Sequence, residues 1–220
     1  MTAESFVFDV RDARTTALLY RGSRARAALV LGHGAGAPQT HPWMVSVARA
    51  LCERGLDLVT FNFLYAESRR RVPDRNDVLE ATWRAAVDAV RARDDVAHGR
   101  LFIGGKSMGG RIATQVAAAG AVDACGLLLL GYPLHPPGKP DQLRIAHLPR
   151  VRAPMLFVQG SRDPFGSPAE LAPVVAGLAH GARLYVVEGG DHSLTPPKRS
   201  GETLDIVIAR VADEVARFTA

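Results

Sequence analysis

Leu101-Phe102-Ile103-Gly104-Gly105-Lys106-Ser107-Met108-Gly109-Gly110 joins an apolar run directly to an alanine-rich segment, Arg111 to Ala119. The order reads as strand, sharp turn, helix. In such a turn the serine sits in strained backbone geometry, so its neighbours must be nearly free of side chain; Gly105 and Gly109, two residues to either side, supply that room. The hydroxyl is lifted clear at the end of the strand. The helix starting behind it aims free N–H groups and the positive end of its dipole at the serine, which suits an oxyanion. A phosphate-binding loop does not fit these residues: Gly-x-x-x-x-Gly-Lys-Ser needs glycine where Arg100 stands, and Gly99 is one residue too early and lies before the strand. A lone Gly-x-Ser-x-Gly turn has no fixed meaning, so the rest of the chain decides.

Upstream, Phe6–Val10 and Thr15–Tyr20 read as two strands joined by a polar turn, an antiparallel start. Ala27–Leu31 and Leu58–Phe63 are continuous apolar strands of the kind buried on both faces of a parallel sheet. A helix from Trp43 to Arg54 lies between them, ended by Gly55, and a long helix carries Leu79, Trp83, Ala86, Val87 and Val90 on one face. Downstream, Gly126–Leu130, Met155–Gln159 and Arg183–Val187 are strands, and Ser167-Pro168 caps and opens a helix running to about Leu178. A terminal helix turns Leu204, Ile208, Val211, Val215 and Phe218 inward. Strands alternating with helices of this length imply a mainly parallel sheet with helices on both faces. With no repeat or linker, residues 1–220 are expected to form a single domain.

Composition excludes several classes. Hydrophobic residues make up 47% and charged residues 22%, which is ordinary for a globular protein. No apolar run is long enough to span a bilayer, and Met1–Ser5 has neither a basic nor an apolar leader region; a cytoplasmic protein without a membrane partner is expected. Cys52 and Cys125 stand singly in apolar surroundings and are expected as buried free thiols. The net charge is +5, but only three of the 27 basic residues are lysines and the arginines are scattered without interleaved aromatics, so no nucleic-acid partner is expected. No spacing among His41, His98, His135, His147 and His180 suits a metal, and no metal or cofactor is called for. Gly32-x-Gly34-x-x-Ala37 imitates a dinucleotide fingerprint, but Pro38 interrupts the helix that should follow, and the next strand ends near Asn62 instead of an acidic residue.

Ligands of an open parallel sheet bind beyond the carboxyl ends of its strands. Four chemical signals fall there: His33-Gly34-Ala35-Gly36, Ser107, Asp163 and His192. Serine is a weak nucleophile and needs a base, for which histidine is suited near neutrality. His192 takes that part. Asp163 would fix its tautomer and stabilise its charged form; Asp191 also neighbours it, but adjacent residues rarely orient one another's rings productively. The N–H of Met108 and one from the His33 loop, that of Ala35, would form an oxyanion hole.

On these residues the chain resembles the α/β-hydrolase superfamily over nearly its whole length. Gly105-Lys106-Ser107-Met108-Gly109 matches the nucleophile elbow, Gly160-Ser161-Arg162-Asp163 and Gly190-Asp191-His192 the acid and base loops, and the chain order Ser107, Asp163, His192 is that of the superfamily. Within it, His33-Gly34-Ala35-Gly36, Gly105 to Arg111 and Tyr132 to Pro140 resemble the small, lidless, dienelactone-hydrolase-like group that includes testis-expressed protein 30 and a domain of a histone-acetyltransferase-complex subunit. Dienelactone hydrolases use cysteine where this chain has Ser107, so their substrate is not implied. The resemblance implies a serine hydrolase, carboxylesterase or thioesterase in type, acting on a small-molecule acyl substrate as a monomer or homodimer.

The proline-rich connection from Gly131 to Arg150 is long enough to be functional but leaves little material for a lid, so the site is expected to be open and shallow. Lys106 and Lys139 are candidate substrate-binding residues, and His33 either touches the substrate or braces its loop. Lys106, Lys139, Arg144 and Arg69 to Arg71 either ring the site for an acidic substrate or are solvated surface charges. The alternative to an enzyme is a silent hydrolase fold that binds proteins through Tyr132 to Lys139.

Overall fold

The computed structural model describes residues 2–220. Its strands are β1 (Glu4–Val10), β2 (Ala13–Tyr20), β3 (Ala27–Gly32), β4 (Leu56–Phe61), β5 (Leu101–Lys106), β6 (Gly126–Leu130), β7 (Met155–Gly160) and β8 (Arg183–Val187). They form one sheet in the order β1-β2-β4-β3-β5-β6-β7-β8. β1 and β2 pair antiparallel, β2 meets β4 antiparallel, and the remaining strands run parallel from β4 to β8. The helices are α1 (Pro42–Cys52), α2 (Leu64–Glu67), α3 (Asn76–Arg91), α4 (Met108–Ala118), α5 (Pro168–Ala176) and α6 (Leu204–Phe218).

Alternation of side chains along the central strands divides the core in two. Val30, Ile103, Leu129 and Phe157 face α3, α4 and α5, whose Trp83, Val87, Ile112, Val116 and Leu171 complete that layer. Leu29, Leu31, Phe102, Leu128 and Val158 face α1 and α6, meeting Val47, Leu51, Ile208, Val211 and Val215. Both faces of the central strands are therefore apolar, and every residue of β3, β4, β6 and β7 is buried. Ser167 caps α5 as its sequence suggests, accepting the Glu170 N–H while Glu170 reaches back to the Ser167 N–H.

The strand expected at Leu58–Phe63 lies two residues earlier. Asp57, its second residue, is a buried carboxylate accepting N–H groups from Gly22 at 3.0 Å and Ala97 at 3.1 Å. At the far end Phe63 leaves the sheet and donates its N–H to His33. Cys52 is buried but Cys125 is exposed, which corrects the expectation of two buried thiols; Cys125 stands just before β6, outside the core. No helix among the described residues is long and apolar enough to cross a membrane. Among the described residues no lid stands over the carboxyl ends of the strands: the connection from β6 to β7 holds a single 3₁₀ turn, Leu148–Arg150.

Candidate active site

Ser107 occupies the turn between β5 and α4 with φ 50° and ψ −114°, a left-handed conformation costly for any residue but glycine. The turn is tight because the sheet and helix touch: a Cβ on Gly105 would lie 2.4 Å from the Gly32 oxygen, and one on Gly109 would lie 2.2 Å from the same atom. Trp83 of α3 braces the far side, its indole N–H donating to the Gly109 carbonyl at 3.1 Å.

From this turn a chain of short hydrogen bonds runs across the sheet edge. Ser107 Oγ is 2.8 Å from His192 Nε2, and His192 Nδ1 is 2.8 and 3.0 Å from the two oxygens of Asp163. Because the carboxylate can only accept, Nδ1 carries the proton, which leaves the Nε2 lone pair facing the serine hydroxyl. Asp163 is 4% exposed and is itself held: the Phe165 N–H donates to Oδ1 and the Gln159 amide to Oδ2. Asp191 serves a different purpose, accepting the Ser193 and Thr195 N–H groups and shaping the loop that carries His192. Trp43 anchors that loop from α1 through its indole N–H to the Ser193 carbonyl at 2.7 Å. Phe165 stacks on the imidazole with ring centres 4.1 Å apart. Gly131 lets the pair sit where it does: with φ +61°, a Cβ there would lie 2.7 Å from the His192 carbonyl.

The His33 ring lies wholly in the interior, against Phe63 and Tyr65. Its Nε2 accepts the Phe63 N–H at 3.1 Å and its Nδ1 donates to the Gly34 carbonyl at 2.8 Å. Burial lowers its pKa to about 4, so the ring is neutral and bridges two backbone groups. In a trans peptide the N–H points opposite to the carbonyl, so pulling the Gly34 oxygen inward turns the Ala35 N–H outward. That N–H and the N–H of Met108 have no acceptor among the described residues, and both residues line the cavity that contains Ser107.

The cavity holds about 480 Å³. Lys106 lines it, with its ammonium 5.3 Å from the centre of the Trp43 ring and its pKa lowered by burial against the opposing pull of Asp163 and Asp191. Two expected substrate contacts are placed elsewhere. Lys139 is exposed in the connection after β6 and does not line the cavity, and His33 is enclosed behind it. The residues that sequence reasoning passes over are Gln159, Phe165, Pro133 and Arg111. Pro133 and Arg111 carried a signal, Pro133 in the proline-rich connection after β6 and Arg111 as the last residue of the Gly105-to-Arg111 stretch. Among the described residues no cluster of ligating side chains could hold a metal.

A family model described as an alpha/beta hydrolase domain matches residues 25–220. The chain is an α/β-hydrolase. Solved structures share its fold from end to end. A dienelactone hydrolase from Anabaena variabilis superposes with a TM-score of 0.77 at 20% identity, covering 98% of this chain and 95% of that one. An alpha-beta serine hydrolase homologue from Coxiella burnetii gives 0.77 at 18% identity, covering 100% and 99%. A serine hydrolase without a lid from Xanthomonas campestris gives 0.74 at 18% identity, covering 99% and 94%. This α/β-hydrolase therefore has the expected architecture.

Proposed function

We propose that the protein is a serine hydrolase that cleaves a small ester or thioester through an acyl-enzyme. The observation that carries this reading is the unbroken line of hydrogen bonds from Ser107 through His192 to a buried carboxylate, ending in an open cavity. Ser107 Oγ attacks the carbonyl carbon while its proton passes to His192 Nε2, and the C=O pair moves onto oxygen. The oxyanion receives the Met108 and Ala35 N–H groups. Collapse breaks the bond to the leaving alcohol or thiol, which takes the proton from His192. Water then attacks the acyl-enzyme, gives its proton to His192, and releases the acid and a reprotonated Ser107. Asp163 stays ionised throughout and holds the imidazolium. Lys106 is a substrate-binding residue in this scheme, reaching the cavity from the strand that delivers the serine.

The subgroup resemblance, to small lidless dienelactone-hydrolase-like proteins, agrees with an open site for short, water-soluble substrates in the cytoplasm. Incubation with a fluorophosphonate followed by intact mass measurement tests the reading. A single adduct that disappears in Ser107→Ala is the expected outcome. Folded protein that takes up no adduct would remove the enzyme reading and leave the fold as a binding module.

A further inference from the structure

Two arginines in the cavity wall have no side-chain partner among the described residues. Arg111 lies one helical turn after the serine, its N–H donating to the Ser107 carbonyl at 3.0 Å. Arg144 comes from the connection after β6, with its backbone fixed on both sides: its N–H donates to the Leu134 carbonyl at 2.8 Å, and its carbonyl accepts the Tyr132 hydroxyl at 2.8 Å. Both are half-buried and line the same cavity as Ser107 and His192. Among the described residues neither guanidinium makes a hydrogen bond, and neither has a carboxylate within 4.0 Å, whereas Arg21, Arg54, Arg70, Arg93, Arg210 and Arg217 all do.

The acids nearby are engaged elsewhere. Asp74 lines the cavity, but its carboxylate accepts the Tyr65 N–H at 2.8 Å and pairs with Arg70. Glu80 faces Arg84 and the Asn76 amide. Burial, and after it the charge of Arg144, lower the pKa of Arg111. Two like charges drawn out of water beside each other oppose folding unless a counter-charge arrives. A planar carboxylate satisfies a guanidinium through two parallel hydrogen bonds, which suits a pair of arginines better than a lysine pair.

We infer that Arg111 and Arg144 form a subsite for a carboxylate on the substrate, so that the hydrolysed ester or thioester carries a free acid a few bonds from its scissile carbonyl. The inference rests on the hydrolase reading for its reaction and on the cation pair for its specificity. Lys106, on the strand side of Ser107, adds positive potential without the planar fork.

Two ester pairs test it at low ionic strength. Mono-p-nitrophenyl adipate against p-nitrophenyl hexanoate places the acid on the acyl side; 4-carboxyphenyl acetate against 4-methylphenyl acetate places it on the leaving group. The wild type is expected to favour the anionic member of at least one pair by about tenfold or more in kcat/KM, and Arg111→Gln and Arg144→Gln each to reduce that ratio to about twofold or less. Arg152→Gln, exposed just before β7 at the opposite edge of the sheet, keeps the ratio. No preference in either pair, or a preference that survives both arginine substitutions, overturns the subsite.

A second readout does not need turnover. Adipate should raise the melting temperature of Ser107→Ala in a concentration-dependent way and leave Ser107→Ala/Arg111→Gln/Arg144→Gln unmoved. Equal stabilisation by inorganic phosphate would overturn the assignment to a carboxylate. Failure to hydrolyse any ester of either pair, anionic or neutral, would defeat the hydrolase reading, while the adipate shift would still decide the arginine pair.

Discussion

The loops after β3 and β8 each bring a histidine to the same edge of the sheet and surround it differently. His192 has a carboxylate on one nitrogen and a hydroxyl on the other, and part of its ring faces the cavity. His33 has a backbone carbonyl on one nitrogen and a backbone N–H on the other, and its ring is fully enclosed. A carboxylate stabilises the imidazolium that proton transfer creates, whereas an interior without counter-charge forbids it. The side chain is the same; its second neighbour decides whether it can move a proton or only hold a turn.

Substitution should separate the two most sharply in rate. His192→Ala removes the proposed base, and ester kcat is expected to fall by roughly 10³-fold or more, with fluorophosphonate labelling lost and the fold retained. His33→Gln should cost less, about 10- to 100-fold in kcat with KM nearly unchanged, because it loosens the Ala35 N–H, the proposed oxyanion donor. Equal losses from both substitutions, or a loss at His33 confined to KM, would break the comparison.

A smaller effect appears in stability against pH. The pKa of His33 falls from 6.5 to about 4 on folding. Between those values the unfolded chain binds a proton that the folded chain does not, so stability falls as pH is lowered through the window, by about 3 kcal/mol at most. Above pH 6.5 the residue contributes no slope. His147, lowered to about 4 by burial and the charges of Arg111 and Arg150, adds a drop of the same sign. Urea unfolding at pH 7.5 and 4.5 checks this: the difference between the two should shrink in His33→Gln, and an unchanged difference would show that His33 carries no such linkage.

How much of this could be read in advance follows from the range of each interaction. The strands were legible because double-sided burial writes continuous apolar runs, as in Gly126–Leu130, and Ser107 because its glycines must sit at fixed offsets. Ser167 and Pro168 announced α5 as an N-cap serine followed by a proline at the first helical position. Asp57 was missed at the head of β4 because a charge there looks like a loop until Gly22 and Ala97 arrive to hold it. Gln159 looked like a strand end, although its amide ties Asp163 to the Tyr132 backbone, 27 residues away in sequence. Arg111 ends the Gly105-to-Arg111 stretch, which marks the turn but gives its side chain no direction, and only the connection carrying Arg144 shows that it faces a cavity. Lys139 drew notice through its prolines, but exposure in sequence and direction in space are different quantities, and its side chain lies outside the cavity.

The twisted backbone at Ser107 has a bearing on how this chain can change over generations. A non-glycine residue held at positive φ costs on the order of 1 kcal/mol or more, so glycine at position 107 would relieve the turn without disturbing the sheet or the helix. Drift under selection for stability alone would favour that replacement. In the proposed hydrolase the serine in that place has a use that outweighs its strain, and an ancestor or descendant freed from that use would be expected to surrender it early.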